Sequence, residues 1–85
     1  MLELRHLNTL TALRAHGSLA AAADELHVTA SAVSHQLKEL ENYYDISLVN
    51  RRTRPLTFTP AGKMVLALAD SIMPQVTRTK SNLKR

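Results

Sequence analysis

The sequence lacks cysteine and tryptophan, and it has only one phenylalanine and two tyrosines among 85 residues. The absence of cysteine excludes a disulfide framework and any thiolate metal site. With so few aromatic residues, the core must be built from Leu, Val and Ala, and two glycines and three prolines leave few helix breakers. No apolar run approaches the ~18 residues of a membrane span, and the N terminus lacks a signal-peptide core. These absences predict a small, mainly α, soluble cytoplasmic domain.

Charge is distributed unevenly along the chain. Residues 1–45 carry three Lys or Arg and six Asp or Glu, a net charge of −3. Residues 46–85 carry eight Lys or Arg and one Asp, a net charge of +7. The basic second half favours a polyanionic partner. The alternative is an ordinary solvated basic surface.

Two short helices are predicted first, over residues 3–15 and 19–26. The first is marked by an apolar stripe, Leu4, Leu7, Leu10 and Leu13. Gly17 suits the left-handed position that ends a helix, and Ser18 suits the N-cap of the next one. His27 and Val28 then form a short turn, and we expect Val28 to fill the core.

Thr29 is the predicted N-cap of a third helix that runs to Tyr44. At 100° per residue one face is apolar and is expected in the core: Val33, Leu37, Leu40 and Tyr44. The opposite face holds Ser31, Ser34, His35, Lys38 and Asn42. A solvated face is typically rich in Glu and Lys, so this composition favours a helix-turn-helix whose third helix enters the major groove of DNA. The alternative is an ordinary amphipathic surface helix.

The outward side chains of this helix are candidate DNA contacts. Ser31 and Ser34 can exchange hydrogen bonds with base edges or phosphates, and His35 and Lys38 can donate to either. Ala30 can contact a thymine methyl group, and the helix N terminus offers free N–H groups to phosphate.

A hairpin is predicted after the third helix. Residues 46–49 and 56–59 alternate in part and are β-prone, and they flank a basic turn that contains Arg51, Arg52 and Arg54. Three guanidinium groups with no acid nearby in sequence suit contact with phosphate or the minor groove. The alternative is a charged tip that only keeps a sheet edge soluble.

A long helix is predicted from Pro60, with Thr59 as its N-cap and Pro74 as a kink. One side of this helix carries the row that we assign to dimerisation: Val65, Leu68, Ile72, Val76 and Leu83. The domain's own core can cover the first turns, and the identical helix of a second subunit can cover the rest. The chain therefore divides into a DNA-binding unit, residues 1–58, and a linker or dimerisation helix, residues 59–85.

Catalytic and metal-binding motifs are missing from the sequence. The four histidines lack i, i+4 spacing, and no HExxH, nucleophile-elbow or phosphate-loop pattern occurs. We expect His6 and His16 to lie on the surface. No enzyme activity, catalytic residue, metal or cofactor is predicted for this chain.

A series of short motifs in a fixed order carries a family resemblance. These are Leu4-Arg5-His6-Leu7, Gly17-Ser18-Leu19, Ala22-Ala23, Leu26, Ser31-Ala32-Val33-Ser34, Leu37, Leu40-Glu41, Leu48, Arg51, Arg54-Pro55 and Thr59-Pro60-Ala61-Gly62. Over essentially the whole chain, the sequence resembles the N-terminal DNA-binding domain of LysR-type bacterial transcriptional regulators. It departs from the family pattern at His35, where many members have Arg, at Asp45, where Gly is usual, and at Val49, where Phe is common. The turn at Asp45 is therefore expected to be strained or reshaped.

The resemblance implies a winged helix-turn-helix and a linker helix that pairs two subunits. It also implies an effector-binding domain for a small molecule, absent here, and a tetramer for the full-length protein. The homodimer would bind an interrupted inverted repeat in double-stranded DNA, with half-sites about one helical turn apart. By position, family contacts would fall on Thr29, Ala30, Ser31, Ser34 and His35, and in the wing on Arg51, Thr53 and Arg54. Arg54 resembles the arginine that the family inserts into the minor groove.

A protein-interaction module is the rival interpretation from another class. The apolar row of the last helix fits such a module equally well, but the outward Ser/His/Lys face and the arginine turn do not. A membrane-surface helix is disfavoured because the last helix lacks a Trp/Phe face.

Overall fold

A computed structural model describes residues 1–84, in which four helices surround a core and a two-stranded hairpin projects between the third and fourth helices. The helices are α1 (Leu4–His16), α2 (Leu19–Leu26), α3 (Ala30–Tyr44) and α4 (Pro60–Leu83). Strands β1 (Val49–Asn50) and β2 (Thr57–Phe58) pair antiparallel, and Val49 lies opposite Phe58. The predicted mainly α winged helix-turn-helix is confirmed. Arg85, the last residue of the predicted linker helix, lies outside the described residues.

The capping residues fix the helix boundaries as the sequence predicts. The hydroxyls of Ser18, Thr29 and Thr59 each accept a hydrogen bond from the backbone N–H three residues later. Gly17 ends α1 in the left-handed region with φ 76°. Asp45 ends α3 there too, with φ 52° and ψ 48°. It therefore adopts the conformation that glycine favours in this turn.

Helix α1 lies at the centre of the fold and contacts α2, α3 and α4. The core is aliphatic: Leu10, Leu13, Ala22, Ala23, Val33, Leu37, Leu40, Leu48, Val49 and Leu66. Burial of such side chains is worth about 1.5–3 kcal/mol each for Val or Leu, which is the main stabilising term of a domain this small.

Because three helices contact α1, more than one stripe of its surface is buried. His6, predicted on the surface, is only 1% exposed, so that prediction is wrong. Leu4 belongs to the predicted apolar stripe but lies in the first turn and is 50% exposed. His16 is exposed as predicted and approaches Glu25 at 2.9 Å.

Two side chains predicted in the core lie outside it. Tyr44 is 49% exposed because it occupies the last turn of α3, where the helix leaves the core, and its ring packs edge-on against Tyr43. Val28 is 42% exposed. The left-handed His27, with φ 59°, closes α2 at the surface, and Val28 follows it there.

The strands are shorter than predicted because their flanking residues bond elsewhere. The Leu48 N–H donates to the side chain of Glu41 at 2.7 Å, and the Leu56 N–H donates to the carbonyl of Gly17 at 3.0 Å. The hairpin is thereby tied to the helical body on both sides.

The start of α4 packs tightly against Ser47 and Leu48, in the segment that joins α3 to β1. The Thr59 N–H donates to the Leu48 carbonyl at 3.1 Å, and the Thr59 hydroxyl donates to the Ser47 carbonyl at 2.6 Å. A Cβ at Gly62 would stand 2.0 Å from the Leu48 oxygen, so only glycine allows this approach. Farther along, α4 continues through Pro74 to Leu83.

Candidate nucleic-acid interface

The face of α3 that points away from the core is polar and open. Ser31, His35 and Lys38 are exposed and Ser34 is half-buried, whereas Val33, on the opposite face, is fully buried. We call Ser31, Ser34, His35 and Lys38 the outer row. Within residues 1–84 none of these side chains has a carboxylate partner, so their hydrogen-bonding groups are available to a ligand.

The N-terminal end of α3 adds to this surface. Thr29 and Ala30 are both exposed, and the first turn of the helix has no acidic residue. The Thr29 hydroxyl accepts from the Ala32 N–H at 3.1 Å and keeps its own proton free to donate. The positive end of the helix dipole is therefore not neutralised from within the helix.

Other polar side chains of α3 lie at the margins of its buried face, are half-buried, and contact the rest of the domain. The Thr9 hydroxyl on α1 donates to the Gln36 side chain at 2.7 Å, and Arg5 pairs with Glu39 at 3.4 Å. We call Gln36, Glu39 and Glu41 the inner row. These contacts orient the outer row relative to the rest of the domain.

His6 belongs to the same inner contact region. Its Nδ1 accepts from the Glu3 N–H at 3.0 Å, and its Nε2 lies 3.9 Å from a Glu39 oxygen. Burial, with a further contribution from the neighbouring Arg5 charge, lowers the pKa of His6 below its ordinary value. His6 is therefore held neutral, with the tautomer that leaves Nδ1 as an acceptor.

The base of the hairpin is organised by Glu41. One carboxylate oxygen accepts from the Leu48 N–H at 2.7 Å, and the other pairs with Arg51 at 3.1 Å. The Glu41 side chain is 12% exposed and that of Arg51 is 33% exposed. Arg51 has no acid nearby in sequence, yet the fold gives it a carboxylate partner from α3.

The tip of the hairpin presents the other two arginines. Arg52 and Arg54 are exposed, and neither forms an ion pair with any residue in 1–84. The Thr53 hydroxyl is used inside the hairpin, where it bonds to the Asn50 carbonyl at 3.2 Å and to the Thr57 hydroxyl at 3.0 Å. Arg52 and Arg54 are therefore the open cations of this turn.

Sequence reasoning did not assign roles to Glu41 and His6. A signal for Glu41 was available, because it lies about 80° from Val33 around the helix, at the edge of the apolar face. A carboxylate at that boundary requires a partner when the neighbouring element covers it. No comparable signal marks His6, since its burial depends on three helices meeting around α1.

The row of α4 assigned to dimerisation is only partly covered. Val65, Ile72 and Val76 are half-buried, whereas Leu68 is 39% exposed and Leu83 is 79% exposed. Helix α4 is anchored to α1 by a two-pronged ion pair between Arg14 and Asp70, with distances of 2.6 and 3.0 Å. Leu68 and Leu83 are therefore the members of the row that are accessible to another molecule.

Residues 1–84 include no helix that is both long and apolar enough to cross a membrane. The same part of the chain holds no cluster of three His, Asp or Glu side chains that could bind a metal ion.

A family model described as "Bacterial regulatory helix-turn-helix protein, lysR family" matches residues 4–63. The chain therefore belongs to the LysR family and is a LysR-type DNA-binding domain of a transcriptional regulator rather than an enzyme.

Among known proteins, the chain is similar to the HTH-type transcriptional regulator MetR. It is 51% identical to MetR of Salmonella typhimurium and 50% identical to MetR of Escherichia coli K12, in each case over 78 residues. Each alignment covers 92% of this chain and 25% of the relative. The chain thus spans about a quarter of the length of the curated relatives that it matches.

Solved structures of the family share this fold. The DNA-binding domain of BenM in complex with benA site 1 DNA has a TM-score of 0.86 at 33% identity, covering 99% of this chain and 94% of that one. The DNA-binding domain of CbnR in complex with DNA has a TM-score of 0.81 at 30% identity, covering 98% and 95%.

Proposed function

We propose that this domain binds double-stranded DNA sequence-specifically as a dimer, with α3 in the major groove and the hairpin as a wing at the minor groove. The observation that carries the proposal is the open, unpaired outer row of α3 together with the unpaired Arg52 and Arg54 at the hairpin tip. The BenM and CbnR domains, which have the same fold, were solved bound to DNA and support the proposal.

Distinct roles follow from the chemistry of the side chains. Ala30, Ser31, Ser34 and His35 would specify sequence, because Ser and His side chains can hydrogen-bond to base edges and an Ala side chain can contact a thymine methyl group. Lys38 and Arg54 would mainly supply affinity through phosphate contacts or, for Arg54, the minor groove. Thr29 would donate to a phosphate at the start of the helix. Arg51 and Thr53, which the family resemblance assigns to the wing, have intramolecular partners.

Dimerisation is proposed through the exposed part of the α4 row, Leu68 and Leu83 together with Val65, Ile72 and Val76. Two domains paired in this way would present two recognition helices to an interrupted inverted repeat. We propose that residues 1–58 form the DNA-binding unit and residues 59–85 the linker or dimerisation helix. For a longer protein we propose an effector-binding domain, a tetramer and a cytoplasmic location, by analogy with the family.

A role in regulating methionine biosynthesis is proposed from the similarity to MetR alone. It predicts preferential binding to control regions of methionine-pathway genes over unrelated promoters. Equal affinity for both sets of duplexes at one fixed salt concentration would contradict it.

The function is tested by selecting bound duplexes from a random pool with the purified chain at a fixed salt concentration. Recovery of an interrupted inverted repeat is the expected result and gives the half-site spacing directly. Salt-sensitive binding without a recovered motif would contradict sequence specificity. No retention on DNA even at low salt would overturn DNA binding and favour a protein-interaction module that uses the α4 row.

A further inference from the structure

The three arginines of the hairpin turn are not equivalent. We propose that Arg51 is a positioning residue, held by Glu41 to set the wing on the end of α3, and that Arg52 is a DNA contact beside Arg54. This inference rests on the proposed DNA-binding function and gives each arginine of the wing a separate role in it.

The Glu41 carboxylate holds the Leu48 N–H and the Arg51 guanidinium together, and we call these two contacts the clamp. Its two carboxylate oxygens bind two different parts of the wing base, the Leu48 N–H at 2.7 Å and the Arg51 guanidinium at 3.1 Å. The Glu41 carbonyl accepts from the Ile46 N–H at 3.1 Å, so both its backbone and its side chain hold the segment that enters the wing. Since Glu41 is itself part of α3, the clamp ties the position of the wing to the recognition helix.

Because Arg51 is paired with Glu41, its guanidinium group is not free to bind phosphate. Its charge is compensated by a carboxylate that is only 12% exposed, and a carboxylate so little exposed to water is costly to leave without its charged partner. A phosphate could recruit Arg51 only by breaking this pair and leaving Glu41 with an uncompensated charge. Arg52 faces no such cost, because its exposed side chain has no ion-pair partner within residues 1–84.

Salt dependence of DNA binding separates the two roles, because each phosphate contact contributes about 0.9 to the slope of log K against log salt. The probe is a mixed-sequence, fluorescently labelled duplex long enough for two half-sites. Arg51→Met keeps the aliphatic stem and removes the charge, and Arg52→Met is the matched control at the adjacent position. We expect Arg52→Met to lower the slope by about 1 for each bound protomer. We expect Arg51→Met to weaken binding several-fold at every salt concentration with an unchanged slope.

The clamp itself is tested by denaturant unfolding of Glu41→Gln, Arg51→Met and the double variant. Gln retains an acceptor for the Leu48 N–H but cannot neutralise Arg51. We expect the double variant to shift the unfolding midpoint by clearly less than the sum of the single shifts. Glu39→Gln makes the same charge change on α3 without touching the wing, and it should weaken DNA binding less than Glu41→Gln does.

A slope that falls equally for Arg51→Met and Arg52→Met would overturn the assignment, because Arg51 would then contact phosphate. An Arg51→Met variant with both slope and affinity unchanged would overturn its positioning role. Additive unfolding shifts for Glu41 and Arg51 would show that no clamp exists. Failure of the unmodified chain to bind the duplex at low salt would instead overturn the proposed function, and the assignment of Arg52 with it, whereas the unfolding measurement decides the ion pair independently.

Discussion

Both the inner row and the outer row of α3 are polar, but only the inner row has bonding partners within the domain. On the inner side, Gln36, Glu39 and Glu41 bond to α1 and to the base of the wing. On the outer side, the side chains of Ser31, His35 and Lys38 have no hydrogen-bond or ion-pair partner in residues 1–84. The histidines show the same contrast, since His6 is buried and bonded while His35 is exposed. A polar side chain is structural or ligand-facing according to whether a neighbouring element supplies its partner.

This contrast has a functional consequence. Substitutions that break inner-row contacts are expected to lower the free energy of unfolding. Substitutions in the outer row are expected to change DNA binding with little effect on folding. The following predictions test that separation, from the largest expected effect to the smallest.

Gly62→Ala is expected to give the largest loss of stability, about 3 kcal/mol or more, because the new methyl group would overlap the Leu48 carbonyl that also accepts from Thr59. The free energy of unfolding from denaturant titration measures it. Lys63→Ala, at the exposed neighbouring position, should stay within about 0.5 kcal/mol of the unmodified chain. A Gly62→Ala variant as stable as that control would show that α4 does not depend on this close approach.

Acidification is expected to destabilise the fold through His6. Its pKa is lowered in the folded state by burial, so the unfolded chain takes up the proton first. The contribution of neutral His6 is complete above its ordinary pKa of 6.5. It is lost as the pH falls below that value, by up to about 1.4 kcal/mol per pH unit, until the pH passes the folded-state pKa.

The control for this pH dependence is a matched pair of substitutions. His6→Asn should flatten the fall in stability below pH 6.5, and His35→Asn on the exposed face should leave it in place. Identical pH profiles for the unmodified chain and His6→Asn would mean that another group is responsible.

The outer surface is expected to show its effect in binding and not in folding. Arg54→Ala should lower the salt slope of DNA binding by about 1 and weaken binding on all sequences alike.

His35→Ala should leave the slope intact and reduce discrimination at one base pair by about 1–3 kcal/mol. Binding isotherms at several salt concentrations, with selected and single-mismatch duplexes, measure both. An unchanged set of selected sequences for His35→Ala would remove it from the base-reading residues.

Asp45→Gly is expected to give the smallest effect and the only gain. Asp45 is held at φ 52°, a region that costs other residues about 1–2 kcal/mol but not glycine, and glycine's greater freedom in the unfolded chain offsets part of that. The variant should be about 0.5–1 kcal/mol more stable in thermal or denaturant unfolding. Asp45→Ala, which keeps the steric restriction, should show no gain. Equal stability of the two variants would indicate that the left-handed turn is not under strain.

Local features of the sequence predicted much of the fold correctly. Gly17, Ser18, Thr29 and Thr59 cap helices through their own backbone or hydroxyl groups, and those bonds reach only three or four residues. The apolar spacing of α3 likewise placed Val33 in the core. The same spacing was wrong for Tyr44, because periodicity does not show where a helix leaves the core. The prediction that Val28 fills the core from the turn was wrong as well, because the left-handed His27 ends α2 at the surface.

By itself, the sequence determined the order of the elements, the helix caps, the polar outer row of α3 and membership of the LysR family, because each depends on neighbouring residues or on motif order. Tertiary structure alone decided that His6 is buried and that Glu41 meets Arg51 and the Leu48 N–H. It also decided that Gly62 must remain glycine. These depend on which elements come together, and a partner ten residues away in sequence becomes a partner at 3.1 Å only when the wing folds back onto α3.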